Sequence, residues 1–168
     1  FIGSVFSPYY FRARQRGTGD PENFVAINVG LYGPRRNLWA MTERSRRALS
    51  RSADCFRVGP SHLRWRDGRL EIHIDERSAP FARRVRGRIT LVPDFLSSRD
   101  FALDAGGLHT WQPIAPAARI SVNMSSPALS WDGKGYFDTN SGERALEDDF
   151  DHWNWSRCGE KSGTVITY

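Results

Sequence analysis

Cysteine is scarce in this sequence: Cys55 and Cys158 are its only two, neither belongs to a CxxC pair, and no histidine stands at metal-ligand spacing from them. That excludes the usual structural zinc arrangements and points to a reduced, cytoplasmic chain rather than a disulfide scaffold. No stretch approaches the roughly 20 consecutive apolar residues of a membrane-spanning helix, and Phe1 to Tyr10 lacks the basic-then-apolar order of a secretion signal. Tandem repeats, low-complexity tracts and Gly/Ser-rich linkers are absent, so 168 residues at 39% hydrophobic are expected to form a single domain with one core. An initiating methionine is also missing, and the apolar ends, Phe1-Ile2 and Val165-Ile166-Thr167-Tyr168, read as strands cut from a longer protein. Lysine is nearly absent, 2 residues against 22 arginines within a net charge of +5. Such a bias fits phosphate recognition by planar guanidinium groups, and it equally fits GC-rich coding with no function attached.

What is present reads mostly in period two. Phe24 to Tyr32 is a β-rich run ended by Gly33-Pro34, and Leu38 to Glu43 is expected to pair with it across the turn Gly33 to Asn37. Thr42 to Ser52 is polar and arginine-rich, a short helix or a loop. The clearest local signal is His62 to Trp65, then Arg66-Asp67-Gly68-Arg69, then Leu70 to Asp75, because Asp-Gly supplies the positive φ of a tight hairpin turn. Leu70, Ile72 and Ile74 share one face, and Glu71, His73 and Asp75 share the face expected to meet water. Alternation returns in Arg84 to Ile89, with Arg84, Arg86 and Arg88 on one side, and in Arg119 to Met124. No long amphipathic helix stands out. The pattern predicts an all-β, antiparallel barrel or sandwich, and a barrel with a ligand cavity fits it well.

Two short strand-like motifs carry candidate chemistry: His109-Thr110-Trp111, and Tyr136-Phe137-Asp138 after Lys134-Gly135. Residues two apart in a strand point the same way, so His109 pairs with Trp111 and Tyr136 with Asp138. If both pairs face one interior, an acid, an imidazole and two aromatic rings share an apolar pocket. That set suits protonation of an alkene. Burial keeps a carboxylic acid neutral and able to donate, Trp111 and Tyr136 offer π faces to a cation, and His109 can orient Asp138 or activate water. Taken singly, the same residues are explained as core aromatics and, for an Asp before Thr-Asn-Ser-Gly, as a turn residue.

A set of blocks then resembles one family in order along nearly the whole chain. They are Gly3-Ser4-Val5-Phe6-Ser7-Pro8-Tyr9-Tyr10, Asp20-Pro21-Glu22-Asn23, Trp39-Ala40-Met41-Thr42-Glu43-Arg44, Val85-Arg86-Gly87-Arg88, Trp111-Gln112-Pro113-Ile114-Ala115-Pro116, Gly135 to Gly142, and Trp153-Asn154-Trp155-Ser156-Arg157. The sequence is similar to the carotenoid 1,2-hydratases, also called hydroxyneurosporene synthases. The resemblance implies an all-β, lipocalin-like fold and cofactor-independent hydration of the terminal double bond of neurosporene, lycopene or related acyclic carotenes to a tertiary 1-hydroxy group. It implies Asp138 as proton donor, supported by His109, Trp111 and Tyr136, with Asn140 a further candidate beside them. Family proteins are longer, so the resemblance also implies one lipocalin-like domain over residues 1–168, part of a two-barrel protein, with 152–168 leading toward a second half.

Other features have plainer readings. His73 with Asp75 is explained as two polar residues on a solvent face rather than a metal pair, so no metal is expected, and the resemblance implies no cofactor. Arg84, Arg86 and Arg88 read first as a solvated sheet face; contact with acidic lipid headgroups suits an enzyme whose substrate lives in lipid, so a peripheral place on the cytoplasmic side of a membrane is expected. Nucleic acid is not expected as a partner, since no binding motif accompanies the charge. Trp153 and Trp155 are expected to pack and close a sheet. The acidic group Glu147, Asp148, Asp149 and Asp151 reads as an exposed loop, and adjacent carboxylates rarely flank a scissile glycosidic bond. Two other functions stay open beside hydration: a non-catalytic carrier of an apolar ligand, and an isoprenoid or polyketide cyclase.

Overall fold

The computed structural model describes residues 1–3, 7–34, 37–160 and 163–167, and most of them lie in antiparallel strands, as the alternation predicts. In chain order the elements begin with β1 (Ile2–Gly3), α1 (Pro8–Gln15), β2 (Val25–Leu31), β3 (Leu38–Arg44), β4 (Leu49–Arg51) and β5 (Cys55–Val58). They continue with β6 (Ser61–Arg66), β7 (Arg69–Arg77), β8 (Arg84–Pro93), β9 (Phe101–Ala102), β10 (His109–Ser126) and β11 (Ala128–Gly142). The last are α2 (Leu146–Asp149), β12 (Ser156–Glu160) and β13 (Gly163–Thr167). Among the described residues no strand pair closes a barrel, and no helix is long and apolar enough to cross a membrane. The chain divides into two compact units, Phe1–Thr90 with Ser121–Trp131, and Leu91–Ile120 with Asp132–Tyr168. Both cysteines are free.

In the first unit a short sheet runs β1-β2-β3, and β7-β6-β5-β4 are successive neighbours in a larger one. The predicted pairing of Phe24–Tyr32 with Leu38–Glu43 is present, with Val25 opposite Arg44 and Leu31 opposite Leu38. Of its turn, Arg35 and Arg36 lie outside the described residues, but the Gly33 amide donates to Asn37 Oδ1 at 3.2 Å. Ser4, Val5 and Phe6 of the first resemblance block, and Tyr168 of the last expected strand, lie outside them too. Val25, Ile27 and Val58 form a core with Phe1, Leu49 and Phe56 around it.

The Asp67-Gly68 hairpin forms as read, with φ of 51° and 71° at its two turn residues and Arg66 opposite Arg69. Leu70 and Ile74 are buried on one face, while Glu71, His73 and Asp75 are half-exposed on the other. The segment Thr42 to Ser52 is neither a helix of length nor a loop: β3 reaches Arg44, a 3-10 turn spans Arg46–Ala48, and β4 comes next. Pro8 after Ser7 starts α1, because proline's fixed φ suits the first helical position and the Ser7 hydroxyl accepts the Tyr10 amide at 3.1 Å.

The second unit is organised by β10 and β11. Strand β10 is continuous from His109 through Pro113 and Pro116 to Ser126, where the sequence shows only its two ends as strand-like. His109, Trp111, Pro113 and Ala115 are buried in alternation, and the buried positions then change parity to Ala118, Val122 and Met124. Such a slip of one residue is what a bulge or sharp bend produces, and the proline-rich stretch is where it falls. Strand β11 carries the Tyr136–Asp138 motif through to Gly142, so Asp138 is a strand residue and not the start of a turn.

A buried charge is the feature of the first unit that the alternation misses. The Glu76 side chain is 0% exposed; Arg44 donates to both its oxygens at 2.7 and 3.1 Å, and the Ser61 hydroxyl donates to Oε1 at 2.5 Å. Removing one partner leaves the other desolvated and unpaired, which costs more than the pair itself contributes. Glu76→Ala is expected to destabilise the protein by about 3 kcal/mol, read as a lower denaturant midpoint at unchanged slope, with Glu76→Gln costing less.

Candidate functional site

All four sequence-predicted site residues belong to the second unit. The start of β10 is fixed by Asp104, whose carboxylate accepts the amides of His109 at 2.7 Å and Leu108 at 3.2 Å. Desolvation opposes its charge, yet the amides of Leu108, His109 and Gly106 outweigh that and hold Asp104 below the usual carboxylate range. This anchor sets the phase of the strand, so that His109 and Trp111 both turn inward, 2% and 7% exposed. Strand β9 pairs beside them with Phe101 opposite Trp111, and the two rings lie 5.3 Å apart.

The acid is held by two neighbours. Trp111 Nε1–H donates to Asp138 Oδ2 at 2.8 Å, and the Tyr136 hydroxyl donates to the same oxygen at 2.8 Å. Tyr136 reaches Asp138 because the two stand two apart on β11, and Trp111 reaches it from β10. Each donor stabilises negative charge on Oδ2, by roughly 1.5–3 kcal/mol for a bond to a charged group.

Tyr136 is itself tuned. Its burial, and then the bond to Asp138 and the charge on it, push the phenol well above its ordinary value, so it remains a donor. Its ring lies 5.4 Å from that of Trp155, and the Arg157 guanidinium sits 5.2 Å from the ring centroid while donating to the Gly135 carbonyl at 3.4 Å. One π contact of Tyr136 is therefore already made by a cation of the protein.

The structure joins Trp111, Tyr136 and Asp138 directly, and it turns His109 elsewhere. His109 Nε2 lies 2.7 Å from Asp149 Oδ2, while Asp149 Oδ1 meets Arg144 at 3.3 Å. The ring of His109 is edge-on to Phe150 at 4.9 Å. Gly142 is packed so closely on it that a Cβ there would stand 2.7 Å from Nδ1. Asp149 is the residue that sequence reasoning set aside with the acidic loop. Its stretch forms the one-turn α2, and Glu147, Asp148, Asp149 and Asp151 are exposed as expected, though the Asp149 side chain itself is only 18% exposed. The pattern gave one signal for this, Phe150 directly after the acids, since an aromatic beside a carboxylate is not the composition of a wholly solvated loop.

A cleft of about 490 Å³ opens beside Trp111, lined by Phe101, Leu103, Phe150, His152 and Trp153 among others. Trp111 is the predicted site residue that lines it, and its indole N–H is the link to Asp138. Trp153 and Trp155 do not close a sheet: they precede β12, are 47% and 43% exposed, and stand at the cleft wall and over Tyr136 respectively. Asn140 is exposed on β11 beyond Asp138.

Ultraviolet titration of the tyrosines is expected to show one phenol ionising well above the ordinary value of about 10, and Tyr136→Phe to remove that late step while leaving the others. The sign is set by burial and the adjacent carboxylate, both of which disfavour phenolate.

Comparison with known proteins gives the family. The family model of the carotenoid hydratase CrtC matches residues 1–168. The chain is 49% identical over 167 residues to an acyclic carotenoid 1,2-hydratase of Thiocapsa roseopersicina, covering 99% of this chain and 41% of that protein. It is 44% identical over 171 residues to the protein of the same name from Rubrivivax gelatinosus, covering 100% and 42%. With that of Cereibacter sphaeroides it shares 41% over 169 residues, covering 100% and 59%. The chain thus spans from about two-fifths to three-fifths of the length of these relatives. No solved structure matches it. From its first residue to its last, the chain belongs to the carotenoid hydratase CrtC family.

Proposed function

We propose that the protein to which this chain belongs hydrates the terminal C1,C2 double bond of an acyclic carotene such as neurosporene or lycopene, with Asp138 as the acid. The carboxyl proton passes to C2, and a tertiary cation forms at C1. A water oxygen bonds to C1 and returns a proton to the Asp138 carboxylate, giving the 1-hydroxy product. Alkene and water are consumed, the acid is regenerated, and the sequence of steps calls on no cofactor.

The observation that carries this reading is the double donation by Trp111 and Tyr136 to one oxygen of Asp138. Their bonds strengthen as the carboxyl becomes a carboxylate, so they favour the transition state over the resting acid. The cleft beside Trp111 supplies aromatic and aliphatic walls suited to an isoprenoid end, and the Trp111 indole is the ring best placed to face a tertiary cation there. The names of the relatives support the same substrate class.

We also propose that the protein works at the cytoplasmic surface of a membrane, where such a substrate resides. What supports this is an open groove of about 390 Å³ in the first unit, lined by Arg86, Arg88, His73 and Asn123 among others. Asp75 is shared by Arg84 at 2.8 Å and Arg86 at 3.7 Å, which leaves the basic face with a net positive charge.

Expressed at its full native length and given lycopene or neurosporene in liposomes, the protein is expected to yield 1-hydroxy product by chromatography. Asp138→Asn is expected to abolish the product while carotene is still bound. No product from a folded, carotene-binding wild type returns the carrier reading; a ring-closed product returns the cyclase; undiminished product from the variant removes Asp138 as donor. Vesicle flotation is expected to recover the protein with anionic but not neutral vesicles, with recovery falling as salt rises and in Arg86→Gln/Arg88→Gln. Equal recovery on both lipids would rule out the charged face as the contact.

A further inference from the structure

We propose that Asp149 is a positioning residue, which holds the aromatic wall of the cleft in place by binding His109. The inference rests on the hydration reading for what the wall serves, but its geometry stands apart from it. His109 is 2% exposed and fixed on β10, whose start is tied down by Asp104. Asp149 comes from a one-turn helix that could not hold itself, since a single turn fixes several residues for one backbone bond. Its carboxylate is instead held from both sides, with Oδ2 on His109 at 2.7 Å and Oδ1 on Arg144 at 3.3 Å.

The stretch of chain beyond Asp149 gives the bond its purpose. Phe150 meets the edge of His109 and lines the cleft, His152 and Trp153 line it next, and Trp155 reaches the Tyr136 ring. Two aromatic wall residues and the ring against Tyr136 thus hang on six residues of chain whose near end is fastened by a buried imidazole. The wall carries no strand until β12 begins at Ser156.

The same bond decides which nitrogen of His109 bears hydrogen. Facing a carboxylate that also meets Arg144, Nε2 is the donor, so in the neutral ring Nδ1 is bare. Nδ1 stands against Gly142, where a Cβ would approach to 2.7 Å. His109 therefore acts through Asp149 on the wall and not on Asp138, whose Oδ2 is occupied by Trp111 and Tyr136.

The test uses the protein at full native length, with three readouts. Nitrogen-15 NMR of histidine-labelled wild type is expected to show hydrogen on Nε2 of His109; a neutral ring with hydrogen on Nδ1 alone overturns the proposal without any variant. Asp149→Ala is expected to weaken carotene binding, followed by the absorption shift of the polyene, and to raise KM by about tenfold with kcat changed less than about threefold. Asp149→Asn, whose amide oxygen still accepts from Nε2–H, is expected to stay within about threefold of wild type in both. Loss of kcat alone in Asp149→Ala, or binding and KM unchanged, overturns the proposal. If wild type binds carotene without hydrating it, the NMR and binding readouts still decide the role of Asp149, and only the hydration reading falls.

Discussion

One carboxylate oxygen receives two hydrogen bonds from different strands, and the second unit's strand geometry is what makes that meeting possible. Asp138 Oδ2 takes the Trp111 indole from β10 and the Tyr136 phenol from β11, each at 2.8 Å. Both donors are uncharged, an indole N–H and a phenol. The guanidinium over the Tyr136 ring, that of Arg157, is engaged there and with the Gly135 carbonyl.

Much of this was legible from residue order because strands obey a period of two. Asp67-Gly68 gave its hairpin, Phe24–Tyr32 found its partner, and the pairs His109/Trp111 and Tyr136/Asp138 fell on shared faces. What period two does not carry is which groups meet across strands. That His109 turns to Asp149, forty residues on, depends on the path of the chain after Gly142, and nothing local to either residue encodes it. Glu76 was missed for the same reason, since its burial is made tolerable by Arg44, thirty-two residues earlier. The helix at Pro8 was readable, in contrast, though it was not read: Ser followed by Pro is a start signal.

The proline-rich middle of β10 hid a continuous strand. Pro113 and Pro116 lack a ladder donor, so the sequence reads as a break. The strand survives by slipping its alternation, odd positions buried up to Ala115 and even ones from Ala118. That slip lets one strand present His109 and Trp111 to the site and Val122 and Met124 to another core.

Each compact unit is assembled from two separate stretches of chain, 1–90 with 121–131 and 91–120 with 132–168. On a ribosome the first ninety residues therefore emerge as an unfinished unit that must wait for 121–131, and by then most of β10's site-bearing half has already appeared. Neither set can be excised by cutting at one place, so a deletion or a tag within residues 91–131 disturbs both. Such threading favours joint completion of the two units over stepwise maturation of each.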